Sequence, residues 1–491
     1  MLSIEQDFRS RAGLIPGLGL GLSVDVYSPD IFELMKRFAA QESQPEYLEI
    51  FRATIPALQT VRQHFPKASL SYHGEGLWIT QPDFSGTPFV EEEISEVARQ
   101  LAILRSPWLN HECATKQMAG YSFGTYLPPL YTPESARVVA GNIALVQDRL
   151  DRACRPGRAF GPLFLLEIPP LTYFMAGTMS VAQFFRIVTD RVPCGLVLDI
   201  GHLWTVYRYT VVRHQMSLEQ FVERFLDEFP MERVIEIHVA GLDRHESTGR
   251  RRQDGTLTEW VDAHAAPIQS VSLTMLEQVL AHPRLVNLRG VALEVDTKPV
   301  ENIIEEFNEA RRRFGPMIQR KIAKHPTGAD SVPWAATLPV EQSQASDIDK
   351  LSLEEAYTRY AQILSGRQPL TGPEWQQVTE DPAGLGRYVH EYLPHEILHW
   401  GGEVTEMFPD TCRALAEAGI ALDGLVAWWF QAARPVDRPY DFFLLKIERV
   451  LKFVGERAPA LVNQAQREAD ALRLAYAEAN DAVQPLMEPA R

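Results

Sequence analysis

Residues 195–204 read GLVLDIGHLW. Apolar, β-favouring residues run without polar alternation to Asp199, and His202 follows three positions later. A short run apolar on both of its faces is the mark of a strand buried on both sides, as in a parallel sheet covered by helices. An acid and a histidine at the C-terminal end of such a strand fall where parallel α/β folds build their sites.

The same grammar recurs on either side of this stretch. Upstream stand GLGLGLSV (17–24), EYLEIF (46–51), ASLSYH (68–73), PWLNH (107–111) and FLLEI (164–168); downstream stand VIEIHVA (234–240) and GVALEV (290–295). With GLVLDI (195–200) that makes eight, the count that closes a barrel. Between them lie amphipathic stretches with apolar residues at helical spacing: SPDIFELMKRFAAQ (28–41), PFVEEEISEVARQLAIL (88–104), SARVVAGNIALVQDRLDRA (135–153) and SVAQFFRIVTDR (180–191). The expected fold is an α/β chain, a (β/α)8 TIM barrel over residues 1–320. Residues 321–348, rich in Pro, Gly and Ser, read as a linker. Residues 349–491 read as a smaller all-α domain. The glycines of GLGLGL fit close barrel packing better than a dinucleotide fingerprint, because no helix with a following acid fits the spacing.

Bulk properties narrow the function classes. The 491 residues are 45% hydrophobic and 23% charged, an ordinary globular composition. A net charge of −16 argues against a general binder of nucleic acid or anionic membranes. The N-terminus has no apolar segment of signal-peptide type, and no stretch reaches membrane-spanning length, so a cytoplasmic location is expected. The four cysteines (Cys113, Cys154, Cys194, Cys412) form no CxxC pair and read as reduced structural thiols.

What ends the strands carries the chemistry. His73, His111, Glu167, Asp199 with His202, and His238 close strands three to seven. Asp262 and His264 (WVDAHAAP) follow strand seven, and Glu294 ends strand eight with Asp296 beyond it. A single histidine at a strand end is most often a core or surface residue. Five of the chain's 13 histidines at or beside consecutive strand ends, interleaved with acids, make a site. Imidazole and carboxylate together suit iron, manganese or zinc. Unneutralised carboxylates crowded into one mouth could not all ionise. Nine such groups, with Asp296 set apart as lying beyond the strand end, are too many for one ion, so a multinuclear site is expected.

The ordered set GLGLGL, SYHGEGLW, LNHE, LLEIPP, LVLDIGHLW, EIHVAG, VDAHAAP and LEVD, over about residues 15–315, resembles the multinuclear non-haem iron-dependent oxidative enzymes. That family includes the iron subunit of methanobactin biosynthesis. The resemblance implies a xylose-isomerase-like barrel holding two or three irons (Fe2+/Fe3+), with dioxygen as co-substrate. It implies oxidation of a residue, usually cysteine, in a ribosomally made precursor peptide. By the same resemblance one iron takes Glu167, Asp199, His238 and Glu294; a second takes His202, Asp262 and His264; a third takes His73, His111 and the bridging Glu167. The family pattern D-x-N-N is replaced here by Asp199-Ile-Gly-His202, which places a stronger donor at the second iron. Asp296 and Glu75 are expected as supporting or proton-transfer groups, with solvated rim carboxylates as the plain alternative.

Residues 399–419, with LVAWWFQAARP (425–435) and YDFFLLKIERVLKFV (440–454), resemble the partner subunit of the methanobactin enzyme. This implies a fused partner domain recognising the peptide's leader, with Trp428, Trp429 and Phe430 as a candidate contact. A helical core with buried tryptophans is the alternative. HEILH (395–399) matches the H-E-x-x-H zinc pattern, but Pro394 before it and Gly401-Gly402 after it leave a short helix, read as a helix terminus. The basic run RHESTGRRRQDG (244–255) reads as a solvated loop or a clamp over an acidic peptide. A divalent-metal sugar isomerase or an endonuclease-like hydrolase would use similar ligands on the same barrel. A metal-binding chaperone or inactive scaffold is a third class, disfavoured by the full ligand set.

Overall fold

The eight apolar runs pair in parallel and close a barrel. In a computed structural model of the chain, residues 2–86, 89–154, 160–244, 260–323, 352–372, 375–376, 378–431 and 442–481 are described. The barrel strands are β1 (Gly19–Val24), β2 (Tyr47–Phe51), β3 (Ser69–His73), β4 (Trp108–Glu112), β7 (Leu163–Glu167), β8 (Gly195–Asp199), β9 (Val234–Val239) and β12 (Gly290–Glu294). Their order around the barrel is β1-β12-β9-β8-β7-β4-β3-β2. Two antiparallel hairpins stand on the mouth side, β5 (Thr115–Met118) with β6 (Tyr121–Leu127), and β10 (Leu242–Arg244) with β11 (Trp260–Asp262).

Strand alternation sorts the side chains into two shells. Outward residues such as Leu22, Leu48, Phe164, Leu196 and Ile237 pack under the helices. Inward, Tyr47, Trp108, Leu163, Leu165, Val197, Ile235 and Ala292 fill the lower barrel together with Phe8, Ala12 and Ile15. The N-terminal helix Ile4–Ala12, started by a Ser3/Gln6 capping box, closes the bottom. Arg289 holds it there by donating to the carbonyls of Ala12 and Ile15, both at 2.9 Å. Two glycines make room for the large interior ring: a Cβ on Gly21 would lie 2.4 Å from the Tyr47 ring, and one on Gly290 would lie 2.6 Å from its hydroxyl. Close packing is therefore what the glycine-rich first strand serves.

With the bottom filled, the open volume lies at the C-terminal ends of the strands. The barrel helices run to Ile322, and the next described helix begins at Leu353. Tyr357, Tyr360, Leu385, Tyr388 and Trp429 share the barrel's outer core, and the Trp429 Nε1 donates to the Ser122 carbonyl of β6 at 2.9 Å. Val404, Phe408, Leu425, Trp428, Val450 and Phe453 form a core of their own. No described helix is long and apolar enough to cross a membrane.

Candidate metal centre

Four strands deliver the centre of the cluster. Ligand atoms of Glu167 (β7), Asp199 (β8), His238 (β9) and Glu294 (β12) all lie within 4.8 Å of one another, and all four residues are buried. His238 Nδ1 stands 3.2 Å from Glu167 Oε1 and 3.2 Å from Glu294 Oε1. Asp199 is also the N-cap of the helix Ile200–Arg208, where its Oδ1 accepts from the His202 amide. That cap explains the three-residue spacing and swings His202 to the rim of the cluster. A second group, Asp199, His202 and Asp262, follows from it. His202 Nε2 lies 3.4 Å from Asp262 Oδ2, and His264 Nε2 lies 3.1 Å from the same oxygen. His73 Nε2 closes the arc at 3.1 Å from Glu167 Oε2.

Three of these imidazoles are fixed from behind. A carbonyl or carboxylate oxygen only accepts, so a ring nitrogen bonded to it carries the proton. His73 Nδ1 faces Gly74 O at 3.1 Å, His202 Nδ1 faces Ile168 O at 2.6 Å, and His264 Nδ1 faces Asp296 Oδ2 at 3.0 Å. Each ring therefore turns Nε2 into the cluster, the usual arrangement of a metal-binding histidine. On the carboxylate side, Glu167 Oε1, Asp199 Oδ2, Asp262 Oδ1 and Glu294 Oε2 have no hydrogen-bond partner among the described residues, nor has His238 Nδ1, which faces them. Buried lone pairs left in this state are costly, and cations would satisfy all of them at once. The titration of the cluster points the same way. Burial, reinforced by Glu294, Asp262 and Glu167, pushes the Asp199 carboxyl well up, against the pull of His202. Burial works to lower His73, but the Glu167 carboxylate holds it at about 9. Protons occupy the role that cations would take over, and the donor set fits a multinuclear metal site.

The remaining predicted residues fall elsewhere. His111 is not brought into the group. Trp108, Asn110 and Glu112 are the inward residues of β4, and His111 alternates between them. Its Nε2 accepts from the Leu77 amide at 3.1 Å while its Nδ1 faces Glu112 O at 2.8 Å, and burial lowers it to about 4. Glu75 sits beside the mouth, bound by Arg52 at 3.3 Å, by Tyr126 at 2.8 Å and by Lys116. Burial would raise it, but Lys116 and Arg52 outweigh that and hold it at about 2, so it stays ionised and carries no proton near neutrality. Asp296 orients His264 and also accepts from the Asp25 amide at 2.8 Å.

Sequence reasoning missed four inward residues. Asn110 Nδ2 donates to Glu167 Oε2 at 2.8 Å. Glu112 pairs in register with Glu167, and burial with that neighbour pushes it up to about 7. Glu49 and Glu236 lie beneath His238. The available signal was an acid in the middle of an apolar strand, YLEIF and VIEIH, which an interior tolerates only with partners.

In the C-terminal region, Trp428, Trp429 and Phe430 are at most 8% exposed. They pack inward and offer no docking face, which corrects the expectation that they contact a leader peptide. His395 and His399 stack at 4.2 Å and lie outside every metal-ligating group found among the described residues. The basic segment 245–255 lies outside the described residues. Cys113, Cys194 and Cys412 are free thiols.

Residues 17–314 match the family described as the RiPP precursor modification enzymes MbnB/TglH/ChrH. This chain belongs to that family. Curated relatives that it matches include proteins named UPF0276 protein. One from Paraburkholderia phytofirmans is 27% identical over 212 residues, 43% of this chain and 59% of that protein. Another, from Caulobacter vibrioides, is 26% identical, over 52% of this chain and 79% of that protein. The match thus spans less than two thirds of the Paraburkholderia protein. Among solved structures, endonuclease IV from Thermus thermophilus is 19% identical with a TM-score of 0.35, covering 62% of this chain and 99% of that one. A D-tagatose 3-epimerase-like protein is 13% identical with a TM-score of 0.38, covering 62% and 99%. Neither likeness bears on the chemistry of the MbnB/TglH/ChrH-type barrel.

Proposed function

We propose that this chain uses two or three iron ions and dioxygen to oxidise a residue, cysteine foremost, of a ribosomally made precursor peptide. One observation supports this above others: buried acids and imidazoles converge on one volume, several of their ligand atoms with no partner among the described residues, in a family that modifies such peptides. Glu167, Asp199, His238 and Glu294 would hold one ion, and His202, Asp262 and His264 a second. His73 with Glu167 would hold a third, with inward-facing Glu112 a better placed helper than His111, which would first have to release the Leu77 amide. Bound iron supplies the capacity to bind dioxygen and take electrons from the substrate.

The chain's own residues do the rest. Asp296 keeps a proton on His264 Nδ1, and the Ile168 carbonyl keeps one on His202 Nδ1, so both rings present Nε2. His73, His202 and Glu294 are nearly closed to solvent, whereas His264 and Asp296 retain 29% and 27% side-chain exposure. The substrate residue would therefore approach over the His264 side. A helical region at 349–491 that engages the rest of the peptide completes the proposal. The test is incubation of the iron-loaded chain with a cysteine-bearing precursor peptide in the presence and absence of dioxygen. A mass change in the peptide that needs both iron and dioxygen, and that Asp199→Asn abolishes, supports the reading. No mass change, or one independent of dioxygen, refutes it.

A further inference from the structure

Three of the cluster's histidines have the nitrogen that points away from it tied to an acceptor: the Gly74 carbonyl, the Ile168 carbonyl and Asp296. The fourth, His238, is differently placed. It is fully buried inside the barrel and turns Nδ1, not Nε2, toward Glu167 and Glu294. Its far nitrogen points down the barrel axis into a second group of acids. No in-line hydrogen bond reaches Nε2 among the described residues, and the carboxylate oxygen nearest to it is Glu49 Oε1, at 3.0 Å.

We propose that Glu49 is the positioning residue of His238. It holds the proton on Nε2 and so keeps the Nδ1 lone pair turned to the mouth. The inference rests on the metal reading above. Glu49 is built for this role: it has no solvent exposure and stands in the middle of β2. Ser23 Oγ donates to its Oε1 at 3.1 Å, and the Trp108 indole donates to its Oε2 at 3.4 Å. Two donors from two other strands fix the carboxylate against the ring. A carboxylate costs much to bury, so one kept in a barrel interior with dedicated donors answers to something on its open side. The open side here is His238. Glu236 is a weaker candidate for the same task. Its Oε1 accepts from the Tyr47 hydroxyl at 2.6 Å, and its Oε2 is 3.6 Å from Nε2, beyond hydrogen-bond reach. Carboxylate–imidazole–metal relays of this kind fix ring tautomer and ligand basicity, and their loss typically weakens metal affinity about 10–100-fold.

The experiment uses the full chain, stripped of metal and titrated with Zn(II) alone against a chromophoric chelator, as wild type, Glu49→Gln and Glu236→Gln. One class of zinc should weaken about 10–100-fold in Glu49→Gln and by less in Glu236→Gln. In the zinc-loaded wild type, labelled with 15N-histidine, His238 should carry its proton on Nε2 with Nδ1 bare. This second readout needs no variant to fold. Unchanged zinc affinity in Glu49→Gln, or a proton on Nδ1, overturns the positioning role and leaves the metal reading standing. Loss of one whole zinc equivalent in both variants also overturns it, because the ion would then sit among Glu49, Glu236 and His238 themselves. A wild type that takes up no zinc overturns the metal reading, and this inference with it.

Discussion

Gly201 lies in the helix that begins at Ile200, between Asp199 and His202, and Gly201→Ala separates the cluster's function from its folding. A Cβ at this position would lie 2.5 Å from Asp262 Oδ1 and 3.2 Å from Asp199 Oδ1. Ordinary contact needs about an ångström more than the first distance, so the Asp262 carboxylate must withdraw from the side it shares with His202. A misplacement of about 1 Å costs on the order of 100-fold in rate where geometry sets the chemistry. For the helix itself the change is favourable, by up to about 1 kcal/mol, because alanine loses less backbone freedom than glycine. The two effects have opposite signs. Metal-free Gly201→Ala should melt no lower than the metal-free wild type, while its zinc or iron affinity at the His202–Asp262–His264 side and its peptide turnover fall by about 10–100-fold. Differential scanning calorimetry with and without metal, alongside metal counting, reads both. A variant that binds metal and turns over peptide like the wild type, but melts several degrees lower without metal, would show that Gly201 serves packing and that Asp262 is no ligand.

Stripping the metals should lower the melting temperature. At 100 times the dissociation constant one site contributes about 2.7 kcal/mol, or roughly 4 °C for a barrel of about 300 residues, read by calorimetry before and after chelation. Glu167→Gln should abolish that shift and also lower the stability of the metal-free protein, because His73 and His238 lose the buried carboxylate that pairs with them. Trp429→Ala empties a buried site and breaks the bond to the Ser122 carbonyl; urea unfolding should show a loss of about 3–5 kcal/mol with zinc affinity at the barrel unchanged. Lys446 is buried against the carbonyls of Trp400 and Gly402, and burial lowers it from 10.5 to about 8. Between those values the unfolded chain holds a proton that the folded chain has released. Stability should therefore rise with pH across that window, and Lys446→Met should flatten the slope in urea titrations.

The barrel was legible because each of its strands is a short, largely apolar run, six of them with an acid or histidine as the last or last-but-one residue, and burial on both faces writes that pattern plainly. Glu167, Asp199, His238 and Glu294 were legible for the same reason. His111 stands apart from the described group by one residue of parity: Trp108 and Asn110 fix which face of β4 looks inward, and that face offers Glu112. Glu49 and Glu236 escaped notice because they sit mid-strand, where attention to strand ends does not reach. The β5–β6 hairpin was absent from the reading since TKQM is short and polar and its partner YSFGTYL lies in a loop between barrel units. Helical periodicity announced the C-terminal helices. It could not tell that Trp429 is covered by β6, because amphipathic spacing names a buried face and not what buries it.

The central claim is that the crowded acids and imidazoles at the barrel mouth are balanced by several iron ions. The direct measurement is metal analysis and Mössbauer spectroscopy of the full chain purified without oxygen. Two or three irons per chain, with one of them lost in His202→Ala and the remainder retained, is the predicted result. A single zinc or magnesium per chain, or iron content unaffected by substitution of Asp199 and His238, would contradict it.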